Sequence, residues 1–161
     1  MDSLYNKIKS SIESGFVELP EVPGHVQKNL NRAFKIRPYQ SETFGYLTLY
    51  LDNKKLRQRP GQILFHMATG SGKTLIMAGA MLHLYEQGYR NFIFFVNSTT
   101  IINKTRENFL NPLSSKYLFG ERIYFGDKEV FVREVVNFES GNQDDINIVF
   151  QTIQGLHTAL N

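Results

Sequence analysis

A lysine and a threonine, Lys73-Thr74, stand directly after the glycine-rich run Thr69-Gly70-Ser71-Gly72. These residue types at this spacing suit the binding of a phosphate chain. Gly70 and Gly72 open backbone angles closed to other residues and place no side chain between the backbone and an anion. Successive N–H groups can then converge on one phosphate. A helix starting at Lys73 adds free N–H donors and the positive end of its dipole. The Lys73 ammonium is placed to reach terminal phosphates, and the Thr74 hydroxyl to ligate magnesium. Met67 occupies the position, five before Gly72, where the general pattern has another glycine. The competing reading is a glycine-rich turn that joins two elements and binds nothing.

Such a loop needs a strand before it and a helix after it. Ile63-Leu64-Phe65 is a short apolar run that predicts the strand. The apolar stretch from Leu75 predicts a helix to about Gln87, ended by Gly88. Phe92 to Val96 is unbroken apolar sequence, which predicts a strand covered on both faces. A helix is expected over 99–110, strands over 122–125 and 130–136 around Gly126-Asp127, a buried strand over 146–150, and a helix from Thr152 to Leu160. Upstream, Leu4, Ile8 and Ile12 predict a helix over 2–13, and Gly15 could end it. Pro20 and Pro23 mark a linker, and Val26, Leu30 and Phe34 a second helix. Pro38 opens a third, with Phe44, Leu47 and Leu51 as its stripe. Residues 54–61 form a basic, turn-rich connection read as solvated. Strands alternating with helices imply an α/β fold, a mostly parallel sheet with helices on both faces.

Composition sets outer bounds. With 161 residues the chain can bury one real core, and 42% hydrophobic with 20% charged residues is ordinary for a water-soluble domain. No apolar segment approaches the roughly 20 residues that span a bilayer, and the first residues lack a secretion-signal layout. Without cysteine, disulfides and thiolate metal sites are excluded, and a cytoplasmic location is expected. A net charge of +3 permits a nucleic-acid partner without arguing for one. His25, His66, His83 and His157 show no ligand spacing and are read as structural.

Three further segments give the loop a context: Ile36-Arg37-Pro38-Tyr39-Gln40, Val96-Asn97-Ser98-Thr99-Thr100, and Phe150-Gln151-Thr152-Ile153-Gln154-Gly155-Leu156-His157. Together with Met67 to Thr74 they resemble superfamily-two helicases and translocases. Within these, residues 30–161 most resemble the restriction (Res) subunit of bacterial type III restriction–modification enzymes; type I restriction motors carry a similar phosphate loop. The resemblance implies a RecA-like ATP-binding fold, with residues 1–35 as a helical extension and 36–161 as part of the first motor domain. It implies ATP and Mg2+ as ligands, held by Thr69, Gly70, Ser71, Gly72, Lys73 and Thr74. By the same resemblance Lys73 and Thr74 would act at the triphosphate, Thr74 on the ion, and Gln40 would read adenine, with Arg37 in support. The resemblance likewise implies that Asn97, Ser98, Thr99, Gln151 and Thr152 grip nucleic-acid phosphates, for which hydroxyls and helix-start N–H groups are suited. The plain alternative is that Ser98 or Thr99, and Thr152, only cap helices. Implied partners are double-stranded DNA and the modification subunit of the parent enzyme, with no membrane.

ATP hydrolysis by such a motor also needs a carboxylate pair at the end of a core strand. Asp144-Asp145 precedes its apolar run instead of following it, and Val135-Val136-Asn137-Phe138-Glu139 does not fit. The chain is therefore expected to be an amino-terminal piece of a larger motor, ending before the Asp-Glu motif. Two other readings remain open at this point: a small P-loop kinase, and a non-catalytic module that holds nucleotide for assembly. The kinase leaves the Arg37-to-Gln40 segment unexplained.

Overall fold

A computed structural model describes residues 3–155. Helix α1 (Leu4–Glu13) is capped by Ser3, whose hydroxyl accepts from the Asn6 N–H. Helix α2 (Gly24–Asn29) follows the two prolines. Helix α3 (Pro38–Asp52) begins on Pro38, whose missing N–H costs nothing in the first turn. Helix α4 (Lys73–Glu86) starts directly after Gly72. Strand β1 (Asn91–Val96), helix α5 (Thr99–Leu110), the short strands β2 (Ile123–Phe125), β3 (Lys128–Val130) and β4 (Val132–Glu134), and strand β5 (Ile146–Thr152) complete the order.

The main sheet runs β1-β5-β4, parallel throughout, so each strand returns through a crossover. β2 and β3 form a separate antiparallel hairpin. Its two-residue turn places Gly126 at φ 60°, and glycine first in the turn suits the twist of a tight hairpin. The expected strand over 130–136 is split at Phe131. Asp145 splits it: its carboxylate accepts the Phe131 N–H at 3.0 Å and the Arg133 Nε–H at 2.6 Å. Val130 stays with the hairpin, and Val132 begins the run beside β5.

Three other expectations are corrected. Residues 61–68 pair with no strand among the described residues. Phe65 and Met67 pack on the core while Leu64 is 92% exposed, so side-chain alternation survives without a ladder partner. β1 is not covered on both faces. Phe92, Phe94 and Val96 face the core, whereas Ile93 and Phe95 stay exposed. Finally, α2 stops at Asn29 instead of reaching Phe34. Leu30 turns extended and bridges Phe119, the Asn31 N–H donates to the Leu118 carbonyl, and the Gly120 N–H donates to that of Asn29. Asn29, 1% exposed, makes this junction specific. Its amide donates to the carbonyls of His25 and Tyr124 and accepts the Tyr124 N–H, joining α2 to β2.

Phe109 on α5 lies among Phe94 of β1, Phe150 of β5 and Phe119, with ring centroids 5.7 to 6.5 Å apart. This aromatic cluster fixes α5 on the sheet. On another side of the core, α2 and α3 pack on α4. Here His25, His83 and Asp52 form a chain of contacts. The His25 and His83 rings stack and share a 3.1 Å Nε2–Nδ1 hydrogen bond, and His83 Nε2 lies 3.0 Å from Asp52. Burial and the neighbouring His83 hold the His25 pKa below its ordinary 6.5, outweighing the opposite pull of Glu86 and Asp52. A lowered histidine pKa means the unfolded chain binds more protons, so its contribution to stability is present above pH 6.5 and fades as pH falls below it. The melting temperature should therefore drop between pH 7 and 5.5, and His25→Gln should flatten that drop. An unchanged pH profile in the variant would exclude His25 as the cause.

Candidate phosphate-binding site

The glycine-rich run forms a tight loop at the start of α4. Gly70 and Gly72 take φ of 78° and 88°, angles that favour glycine. The Ala68 carbonyl gathers the turn: it accepts from the Ser71 N–H at 3.3 Å, the Ser71 hydroxyl at 2.7 Å and the Lys73 ammonium at 2.8 Å. Lys73 also donates to the Met67 carbonyl at 3.0 Å. Its side chain therefore folds back along the loop, with the ammonium exposed on the surface. Thr69 and Gly70 are exposed, while Ser71, Gly72 and Thr74 are half-buried. The α4 helix places no acidic side chain in its first turn, so nothing there opposes an anion.

The start of α3 is fastened to this loop. The Ser71 carbonyl accepts from the Tyr39 hydroxyl and from Gln40 Nε2, both at 2.9 Å. Gln40 Oε1 accepts the Arg37 N–H at 2.9 Å, which caps α3. Arg37 Nη1 reaches the Tyr39 hydroxyl at 3.3 Å. Gln40 is 4% exposed, so the residue singled out for base recognition is also built into the fold. Each of its amide atoms keeps one further hydrogen-bonding position. Tyr39 was not singled out from sequence, and its aromatic ring beside a glutamine gave no signal of a bond thirty-two residues away. A cavity of about 770 Å3 opens beside the loop, walled by Tyr5, Tyr39, Tyr46, Leu47, Phe65 and Met67.

The other candidates lie at the carboxyl ends of β1 and β5. The register pairs Phe95 with Gln151 and Val96 with Thr152, so Asn97 and Ser98 leave the sheet beside Thr152. Ser98 holds the N-cap position of α5 without a side-chain capping bond. The Thr152 hydroxyl accepts the Gly155 N–H at 2.9 Å, a capping bond. Asn97 and Thr99 are exposed, and Gln151 is half-buried. His157 lies outside the described residues. At the other end of the strands, the Tyr85 hydroxyl on α4 donates to the Asp144 carbonyl just before β5. The four-residue connection from α4 to β1 lies at this end as well. Fourteen helical residues cover about 21 Å and six strand residues about 20 Å. A helix laid antiparallel to β1 from that end would bring the loop at 68–72 to the level of the 97–98 and 151–152 segments. In open parallel sheets this edge is where ligands sit.

A parallel sheet flanked by helices, with a glycine-rich loop feeding the N-terminus of α4, is the architecture of a RecA-like α/β domain. Residues 33–161 match the model of the family described as type III restriction enzyme, res subunit. The chain belongs to that family. It is 39% identical over 157 residues to a Haemophilus influenzae protein described as a probable type III restriction-modification enzyme HindVIP Res subunit. That match covers 92% of this chain and 30% of the relative, so the chain spans about a third of the relative's length. No solved structure matches it. No helix among the described residues is long and apolar enough to cross a membrane.

Proposed function

We propose that this chain is the ATP-binding part of the first motor domain of a DNA-dependent ATPase that powers type III restriction of DNA. The observation that carries this reading is the loop over 68–74: two left-handed glycines, a lysine ammonium held along the turn, and the start of a helix. That donor set fits a triphosphate. The N–H groups of the loop and of the first turn of α4 take the anionic oxygens, and Lys73 exchanges its two carbonyl partners for β- and γ-phosphate oxygens. The Thr74 hydroxyl would hold Mg2+, which when bound would offset negative charge on the triphosphate. Gln40, supported by Arg37, offers its remaining donor and acceptor to the adenine edge. Asn97, Ser98 and Thr99, with Gln151 and Thr152, hold DNA phosphates at the shared strand edge. They give no base preference.

The carboxylate pair for hydrolysis is assigned to a part of the parent enzyme outside these residues, as is contact with the modification subunit. Residues 1–35 act as a helical extension to the motor domain. The parent enzyme works in the cytoplasm. The chain alone is then expected to bind ATP with Mg2+ and turn it over little. Rapid hydrolysis by the purified chain would contradict the second half. DNA contact is tested by titration against salt. Duplex binding should weaken with a slope of about −0.9 in log–log terms for each phosphate held. A signal independent of salt would remove DNA phosphates from the account and favour a protein-assembly module.

A further inference from the structure

The Tyr39 hydroxyl is left without a role by the functional reading above, yet it spends its proton on the phosphate loop. The bond acts on one peptide unit. The linkage from Ser71 to Gly72 is trans, so its carbonyl and its N–H point in opposite directions. Gly72 stands at φ 88°, and glycine accepts positive and negative φ almost equally. This unit can therefore turn over at little backbone cost, and a turned unit aims its carbonyl where its N–H had been. For an anion site the difference is a donor replaced by an acceptor. The two 2.9 Å bonds from Tyr39 and Gln40 hold the carbonyl toward α3 and so aim the Gly72 N–H away from it. Gln40 cannot easily move, being 4% exposed and tied to the Arg37 N–H. Tyr39 is braced by Arg37. A Cβ on residue 72 would meet the Gln40 amide and force it to shift, and the φ of 88° independently favours glycine there.

We propose that Tyr39 is a positioning residue for the phosphate loop: with Gln40 it fixes the orientation of the Ser71–Gly72 peptide so that the Gly72 N–H serves as an anion donor. The proposal rests on the nucleotide reading of the loop. It assigns the Arg37-to-Gln40 segment a task at the phosphate end of the ligand, separate from any contact with the base.

The test compares the chain with its Tyr39→Phe variant, which removes one oxygen from a partly exposed ring. Calorimetry reads Mg2+ with ATP and, separately, Mg2+ with inorganic tripolyphosphate, which has no base. One lost hydrogen bond should weaken both ligands by about fivefold. In the same samples, hydrogen exchange of the Gly72 amide under saturating ATP should be faster in the variant. Amides in the middle of α3 and α4 should exchange as before, which a general loss of stability would not allow. The exchange measurement decides the matter if tripolyphosphate binds too weakly to measure. Equal affinities with equal Gly72 exchange would overturn the proposal while leaving the nucleotide reading intact. So would a loss confined to ATP, which would place Tyr39 at the base. If the unsubstituted chain binds neither ligand, the nucleotide reading itself falls, and this proposal with it.

Discussion

Lys73→Ala should weaken binding of ATP with Mg2+ by about ten- to a hundredfold while leaving the fold in place. The ammonium is the one full positive charge on the loop, and hydrogen bonds to charged groups contribute about 1.5–3 kcal/mol, which is that range in affinity. In the structure it is exposed, and its partners are the carbonyls of Met67 and Ala68. Both can turn to water when it is gone, so the melting temperature should shift by no more than an ordinary surface substitution allows. The pair of measurements is calorimetric titration and thermal unfolding. Unchanged affinity would mean that the loop does not bind the phosphate chain, and a large loss of stability would mean that Lys73 serves the fold.

The largest effect on stability is expected at Phe109. Phe109→Ala removes a ring that is 1% exposed and packed against three other phenylalanines. Large-to-small changes of this kind cost about 3–5 kcal/mol, from lost burial and from the cavity left behind. Domains have only about 5–15 kcal/mol in total, so equilibrium unfolding in urea should show a much lower midpoint. The change also reaches the candidate site. Phe109 anchors α5, whose N-cap Ser98 follows two residues after Val96, the partner of Thr152. A loss below about 1 kcal/mol would mean that the aromatic cluster does not hold α5 to the sheet.

Much of this arrangement was legible in the sequence because the governing signals are local. The helix over 99–110 came out with the bounds read from sequence, and α4 ends within a residue of its expected stop, since periodicity and Gly88 are short-range features. What escaped depends on partners distant in sequence. The apolar run at 92–96 looks the same whether one face or two are covered, and only packing reveals that Ile93 and Phe95 stay exposed. The break at Phe131 is made by Asp145, fourteen residues away. Phe34 fits the helical spacing of Val26 and Leu30, yet pairing with residues 118–120 draws the backbone out of the helix first. At the candidate site, the tight glycine turn and the helix start at Lys73 were readable from the residue types alone. The tie from Tyr39 to Ser71 was not, because a tyrosine at a helix start carries no mark of a carbonyl across the fold.

The central claim is that the backbone from Ala68 to Thr74 wraps the phosphates of ATP. The most direct measurement is an amide chemical-shift titration of the chain with ATP and Mg2+. The largest movements should fall on Gly70, Gly72, Lys73 and Thr74, and should be lost in Lys73→Ala. Still resonances at these four positions under saturating ligand, or movements confined to the cavity beside α1 and α3, would contradict it.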